Sequence, residues 1–222
     1  MGKMPFEFMN VPHRPEKPRE TGITMMIDWG LGTNYQKDLL DVTGQYIDIA
    51  KIAVGISGIL SEKVLKEKIR LYADYQIAAF IGGQFLEYGI FHQGPEIAKQ
   101  YFAEAVRLGF QYVEVSDNNL EITPEDKFEL IRMGTQDFGL KILGEVGSKT
   151  EISSPQAMAD GIKGCLAAGS WKVFVEGAEF TDKQDGTLRK DVIEGISRGV
   201  DLKDIIFELP GPWISNVHPV CR

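Results

Sequence analysis

Residues 140 to 149 read LKILGEVGSK. Leu140 to Gly144 form the short apolar run of a buried strand, Glu145 ends it, and a glycine-containing turn brings Lys149 close behind. A carboxylate and an ammonium at the mouth of a strand are costly if buried without partners, so this position invites a chemical role.

The same pattern spreads outward from this stretch in both directions. Before it, Thr123-Pro124 opens a segment of helical period with Glu125 and Asp126 in its first turn; after it, Ser154-Pro155 opens another. Gly109, Gly139 and Gly169 stand where three helices should stop. Strands are expected at 23–28, 46–52, 77–81, 111–116, 140–145, 171–176 and 204–208, and helices at 34–44, 62–75, 95–108, 124–138, 155–168 and 188–198. Strands alternating with helices in this way imply right-handed βαβ units on a parallel sheet. No strand opens into a GxGxxG turn, and polar residues recur at the same end of nearly every strand, so the fold class expected is an α/β (β/α)8 TIM barrel rather than an open doubly wound sheet. Residues 1–20, with four prolines, are expected to form an N-terminal arm, and 21–222 a single barrel domain. An eighth strand and helix are not found before Arg222, so the domain is expected to be incomplete at its C-terminus, as in a fragment or short form, or with a partner chain covering the gap.

Composition narrows the function classes. With 222 residues, 43% of them hydrophobic and 25% charged, the chain suits one soluble domain. A net charge of −8 excludes a general nucleic-acid surface but not an anionic substrate, which reads local charge. Two cysteines, Cys165 and Cys221, make no disulfide framework and fit a reducing compartment. The start carries no secretory segment, Phe6 stands where a myristoylation signal needs Ser or Thr, and no run approaches the roughly 18 apolar residues of a membrane span. A cytoplasmic protein with no membrane partner is expected.

Residues two apart share a face of a strand. That rule aligns Thr24, Met26 and Asp28; Ile49 and Lys51; Glu114 and Ser116; Leu143 and Glu145; Phe174 and Glu176; Ile206 and Glu208. In a closed barrel, Asp28, Lys51, Ser116 or Asp117, Glu145, Glu176 and Glu208 would ring the C-terminal mouth, where this architecture keeps its active sites. Gly82-Gly83 would let a ligand approach the backbone closely. Converging carboxylates suit a hard cation such as Mg²⁺, here at Asp28, Glu145, Glu176 and Glu208, whereas His13, His92 and His218 lack zinc-ligand spacing. A single glutamate at a strand end is commonly a solvated rim residue; the recurrence over six strands lifts the group above its members. Lys51 interrupts an apolar run, whereas Lys141 and Lys172 belong at the opposite end of the barrel.

On these residues the sequence resembles the phosphosulfolactate synthase family, enzymes that add sulfite to phosphoenolpyruvate on one route to coenzyme M. The stretches that carry the resemblance are KPRETG (17–22), Asp28 with Gly30, YIDIAKIAVGIS (46–57), GGQFLE (82–87), LGFQYVEVSD (108–117), EVGSK (145–149), VEGAE (175–179) and IIFELP (205–210). The resemblance implies a barrel, a Mg²⁺ cofactor, the small anionic substrates phosphoenolpyruvate and sulfite, and a homo-oligomer. It implies Lys149 as proton donor and Lys51 as a second catalytic lysine, with Arg19, Ser57, Gly82, Gly83 and Ser116 expected about the substrate. The sequence departs from the family's usual Gly-Trp-Gly-Thr-Ser at Ala53–Ser57 and has Ala178 where an arginine is usual. Two other readings stand beside a synthase: a relative of the plant heat-stress-associated proteins without that activity, and another enolising barrel enzyme acting on a phosphorylated acid.

Overall fold

A computed structural model describes residues 14–148, 152–182 and 187–209, together with Phe6, Phe8 and Met9. Seven strands form one parallel sheet in chain order: β1 (Met25–Asp28), β2 (Ile49–Ile52), β3 (Ala78–Ile81), β4 (Tyr112–Val115), β5 (Lys141–Val146), β6 (Lys172–Val175) and β7 (Ile205–Phe207). Helices α1 (Thr33–Thr43), α2 (Ile56–Ile59), α3 (Glu62–Asp74), α4 (Gln84–Gln93), α5 (Ile97–Leu108), α6 (Pro124–Arg132), α7 (Pro155–Ala168) and α8 (Lys190–Gly199) fill the connections. The expected (β/α) barrel architecture is the one observed, and among the described residues β1 and β7 each pair on one side only.

Local chemistry sets these elements. Thr123 and Asp126 exchange hydrogen bonds in a reciprocal cap with Pro124 in the first turn of α6, and the Ser154 hydroxyl caps α7 one way, accepting from the N–H of Ala157 with Pro155 in the first turn. Gly109 ends α5 in the left-handed conformation. The helix α4 was not expected, because Gly82 and Gly83 directly precede it, Gly89 interrupts it, and its apolar residues do not fall on one stripe. The segment expected to be one helix over 124–138 instead ends α6 at Arg132 and continues as a π-helical turn, Met133–Asp137.

Two apolar layers result. Outside the sheet, strand and helix side chains such as Ile52, Val113, Ile162 and Ile196 pack in one large core. Inside it, Ile49, Phe80, Leu143, Phe174 and Ile206 fill the barrel, with the rings of Phe80 and Phe174 stacked 5.7 Å apart. The next inward-facing position on most strands lies two residues further on. That step leads from Ile49 to Lys51, Phe80 to Gly82, Tyr112 to Glu114, Leu143 to Glu145, Phe174 to Glu176 and Ile206 to Glu208. A floor of hydrocarbon thus supports a layer of charge.

The arm is fastened at the other end of the barrel. Asp48, just before β2, accepts from Arg14 Nη2 (3.0 Å), Arg19 Nε (2.8 Å) and the backbone N–H of Thr24 (2.8 Å). Lys17 donates to the carbonyls of Gly44 and Tyr75.

Candidate active site at the carboxyl ends of the strands

Lys51 is the centre of the charged layer. Its Nζ donates to Oε1 of Glu114 and to Oε1 of Glu208, each at 3.0 Å, and stands 5.5 Å from the centre of the Phe174 ring beneath. Glu114, Glu145 and Glu208 each bring a carboxylate oxygen within 4.8 Å of the others. All three are largely withdrawn from water, and Oε1 of Glu145 has no hydrogen-bond partner among the described residues. Glu176 lines the same cavity of about 170 Å³, with Gly82 and Gly83 on its rim.

The electrostatics follow from this crowding. Burial works to lower the Lys51 pKa, but the carboxylates of Glu114, Glu208 and Glu145 outweigh it and raise the pKa above its ordinary value. Burial pushes Glu145 well above the usual carboxylate range, Glu114 and Glu208 add to the effect, and Lys51 offsets only part of it. Glu208 is raised as well, by burial first, with Lys51 pulling against it. An ammonium held this firmly is a fixed positive charge rather than a proton source near neutrality.

Not every expected residue joins this layer. Asp28 is corrected: it points away from the mouth, toward α3, where it meets Lys68 Nζ at 2.8 Å and the Tyr72 hydroxyl at 2.7 Å and accepts from the N–H groups of Gly30 and Leu31. The pleat explains it, since Ile27 is the β1 residue level with Lys51 and its neighbour must face the other way. Arg19 is corrected too, because its guanidinium is bound to Asp48 and to the carbonyls of Pro15 and Gln45 at the amino end of the barrel. Ser57 lies in α2 and faces a groove with Leu65 and Tyr101 instead of the acidic cavity. The Ser116 hydroxyl donates to Glu87, one step out from the charged layer. Asp117 pairs with Lys127 at 2.8 Å, and Lys127 also reaches the carbonyl of Glu145. Lys149 lies outside the described residues, next to Ser148.

Glu114 is the functional candidate that the expected ring of strand ends passed over. Its signal was present: the two-residue step from the inward-facing layer points to Glu114, whereas the last polar residue of that strand points to Ser116. Buried Glu87 and Glu179 lie in a helix and a turn, where no strand period marks them. Beside the acidic cavity is a larger one of about 650 Å³, mostly apolar, bordered by Val54, Phe85, Tyr88 and Phe91. Its chemistry is poor in groups that could act on a substrate, so the smaller, charged cavity is the better candidate despite its size.

Fold and site together define a (β/α)-barrel protein with a carboxylate-rich C-terminal mouth. The family model described as (2R)-phospho-3-sulfolactate synthase (ComA) matches residues 12–217. The chain is 31% identical to the phosphosulfolactate synthase of Methanothermobacter thermautotrophicus over 92% of its own length and 81% of that protein's. It is 30% identical to the phosphosulfolactate synthase of Bacillus subtilis, covering 94% and 83%. The chain belongs to the phosphosulfolactate synthase family. It is also similar, at 23% identity over 88% of this chain and 76% of that one, to the protein HEAT-STRESS-ASSOCIATED 32 of Arabidopsis thaliana. Among solved structures, 3-hexulose-6-phosphate synthase from Salmonella typhimurium aligns with a TM-score of 0.56 at 12% identity, over 88% of this chain and 83% of that one, a likeness of fold.

Proposed function

We propose that this protein adds sulfite to phosphoenolpyruvate to give phosphosulfolactate, in a Mg²⁺-dependent carbon–sulfur bond formation. The observation that carries the reading is the meeting of Lys51 with Glu114, Glu145 and Glu208 over an apolar floor, in a chain of this family.

Charge balance supports the cation. Glu114, Glu145, Glu176 and Glu208 face the single ammonium of Lys51 in the described cavity, and both substrates are anions. Such substrates enter only if positive charge or protons offset the carboxylates. The donor set fits a hard divalent ion: all oxygen, three carboxylates gathered, with Oε1 of Glu145 buried and without a hydrogen-bond partner among the described residues. Glu114, Glu145 and Glu208 would hold Mg²⁺, with Glu176 beside them. Bound there, Mg²⁺ supplies Lewis-acid stabilisation of negative charge on the substrate carboxylate.

The lysines divide the remaining work. Sulfite's sulfur lone pair forms the bond to the methylene carbon, and the π electrons move to the phosphate-bearing carbon and its carboxylate. Lys51, charged and fixed, stabilises that developing negative charge. A proton must then reach the phosphate-bearing carbon, and we assign its delivery to Lys149, the donor that the family resemblance implies.

Arg189 does not replace the arginine absent at Ala178, because its guanidinium is taken by Glu179, the carbonyl of Ser153 and Asp191. That absence and the Arabidopsis relative favour a second reading, a family member without synthase activity. Incubation of the full chain with phosphoenolpyruvate, sulfite and Mg²⁺, followed by mass spectrometry, separates the two. Phosphosulfolactate formed only when all three are present supports the synthase, and its absence rejects it.

A further inference from the structure

We propose that Lys127 is a positioning residue for Glu145: paired with Asp117, it fixes the backbone at the end of β5 and so sets where the Glu145 carboxylate stands in the mouth of the barrel. This builds on the reading in which that carboxylate helps to hold Mg²⁺.

Lys127 sits near the start of α6, and only 6% of its surface meets solvent. Lysine is rarely buried so fully unless its ammonium is paired. Here Nζ meets Oδ2 of Asp117 at 2.8 Å and donates to the backbone carbonyl of Glu145 at 3.1 Å. The second contact falls where the two strands part. The last paired residues of β4 and β5 are Val115 and Gly144, and Glu145 is the next residue along. A side-chain ammonium therefore holds the main chain just past the end of the β4–β5 ladder, at the residue whose carboxylate enters the acidic cavity.

Close packing surrounds this contact. The N–H of Lys127 bonds the carbonyl of Thr123, so the residue stands one turn after the reciprocal cap of α6. Beside it Phe128 lies against α7, where a Cβ on Gly164 would come within 2.1 Å of the ring. On β5, a Cβ on Gly144 would lie 2.9 Å from Oγ of Ser170 and 3.0 Å from Cβ of Cys165, so the strand is pressed against its neighbours immediately before Glu145. Neither Lys127 nor Asp117 lines the acidic cavity, and the pair acts on the site through the backbone. A buried ion pair adds little net stability over an apolar replacement, whereas a partner that orients a metal-ligating carboxylate changes affinity by about 10- to 100-fold.

Two measurements on the full-length chain test this: hydrogen exchange by mass spectrometry in the metal-free protein, and calorimetric titration with Mg²⁺. Lys127→Met should raise exchange in peptides covering 141–148 while α3 and α5 stay protected, and should weaken Mg²⁺ binding by about tenfold or more. Lys127→Arg, which keeps the charge and the donors, should recover most of the affinity. Asp117→Asn, which keeps an acceptor and loses the charge, should move both readouts the same way by less, and it carries the test if Lys127→Met does not fold. In a Glu145→Gln background Lys127→Met should cost little further affinity, because it acts through the carboxylate already removed. Unchanged exchange at 141–148, exchange raised throughout the protein, or an equal loss of affinity in the Glu145→Gln background would each overturn the proposal. If the wild-type chain binds no Mg²⁺, the metal reading fails separately, and exchange in the metal-free protein decides whether Lys127 fixes the strand end.

Discussion

Lys51 and Glu208, 157 residues apart in sequence, meet at 3.0 Å across the mouth of the barrel. The contact joins the second strand to the end of the seventh, so the site exists only when the sheet has curled. Lys51→Met would leave Glu114, Glu145 and Glu208 crowded without their counter-charge. We expect a loss of about 3–5 kcal/mol at neutral pH, as when one member of a buried pair is removed, with part of it recovered at pH 5. Urea denaturation at the two pH values measures it, and equal stability of variant and wild type would show that the lysine does not hold the cluster.

Glu145 should make the metal-free protein less stable as pH rises. Its folded pKa is raised above the ordinary 4.5, by burial first and then by Glu114 and Glu208. The folded state therefore binds the proton more tightly, and that stabilising contribution is full below 4.5 and lost as pH climbs through the raised value. Glu145→Gln should flatten this slope and be the more stable protein at pH 8, measured in EDTA. An identical slope in the variant would contradict the assignment.

Calorimetric titration with Mg²⁺ probes the carboxylates directly. Glu145→Gln and Glu208→Gln should each weaken binding by about tenfold or more, since each removes a charged oxygen donor from a small set. Asp28→Asn should bind like wild type. Equal loss in all three would mean that Asp28 reaches the ion after all.

Asp28 is expected to matter for folding instead. Its pKa is lowered despite burial, which would raise it, because Lys68, Tyr72 and the N–H of Leu31 outweigh that effect. The stability it lends is present above its ordinary 3.8 and is lost as pH falls through the depressed value. Asp28→Asn leaves Lys68 buried beside a neutral partner, at a cost of about 3–5 kcal/mol. Thermal unfolding should drop while the folded fraction keeps its kcat; a normal melting temperature with lost activity would reverse the interpretation.

Much of the fold was legible because its signals are local. Gly109 and Gly169 end α5 and α7 in the left-handed conformation just past each apolar-periodic segment, and the Thr123 and Ser154 caps need only their own neighbours. The charged layer was legible where alternation was unambiguous, at Lys51, Glu145, Glu176 and Glu208. It failed on β1, where Met26 and Ile27 are both apolar and nothing in MMID tells the inner face from the outer. Pairings made by folding alone left no mark: Arg19 with Asp48, Glu87 with Ser116, and Glu179 with both sides of the turn after β5.

Product formation in D₂O tests the central claim most directly. The full-length chain with phosphoenolpyruvate, sulfite and Mg²⁺ should yield phosphosulfolactate carrying one solvent deuterium on the phosphate-bearing carbon. Lys149→Ala should form it far more slowly, and Glu145→Gln should need more Mg²⁺. No product from the wild-type chain, or equal rates from wild type and Lys149→Ala, would contradict the account.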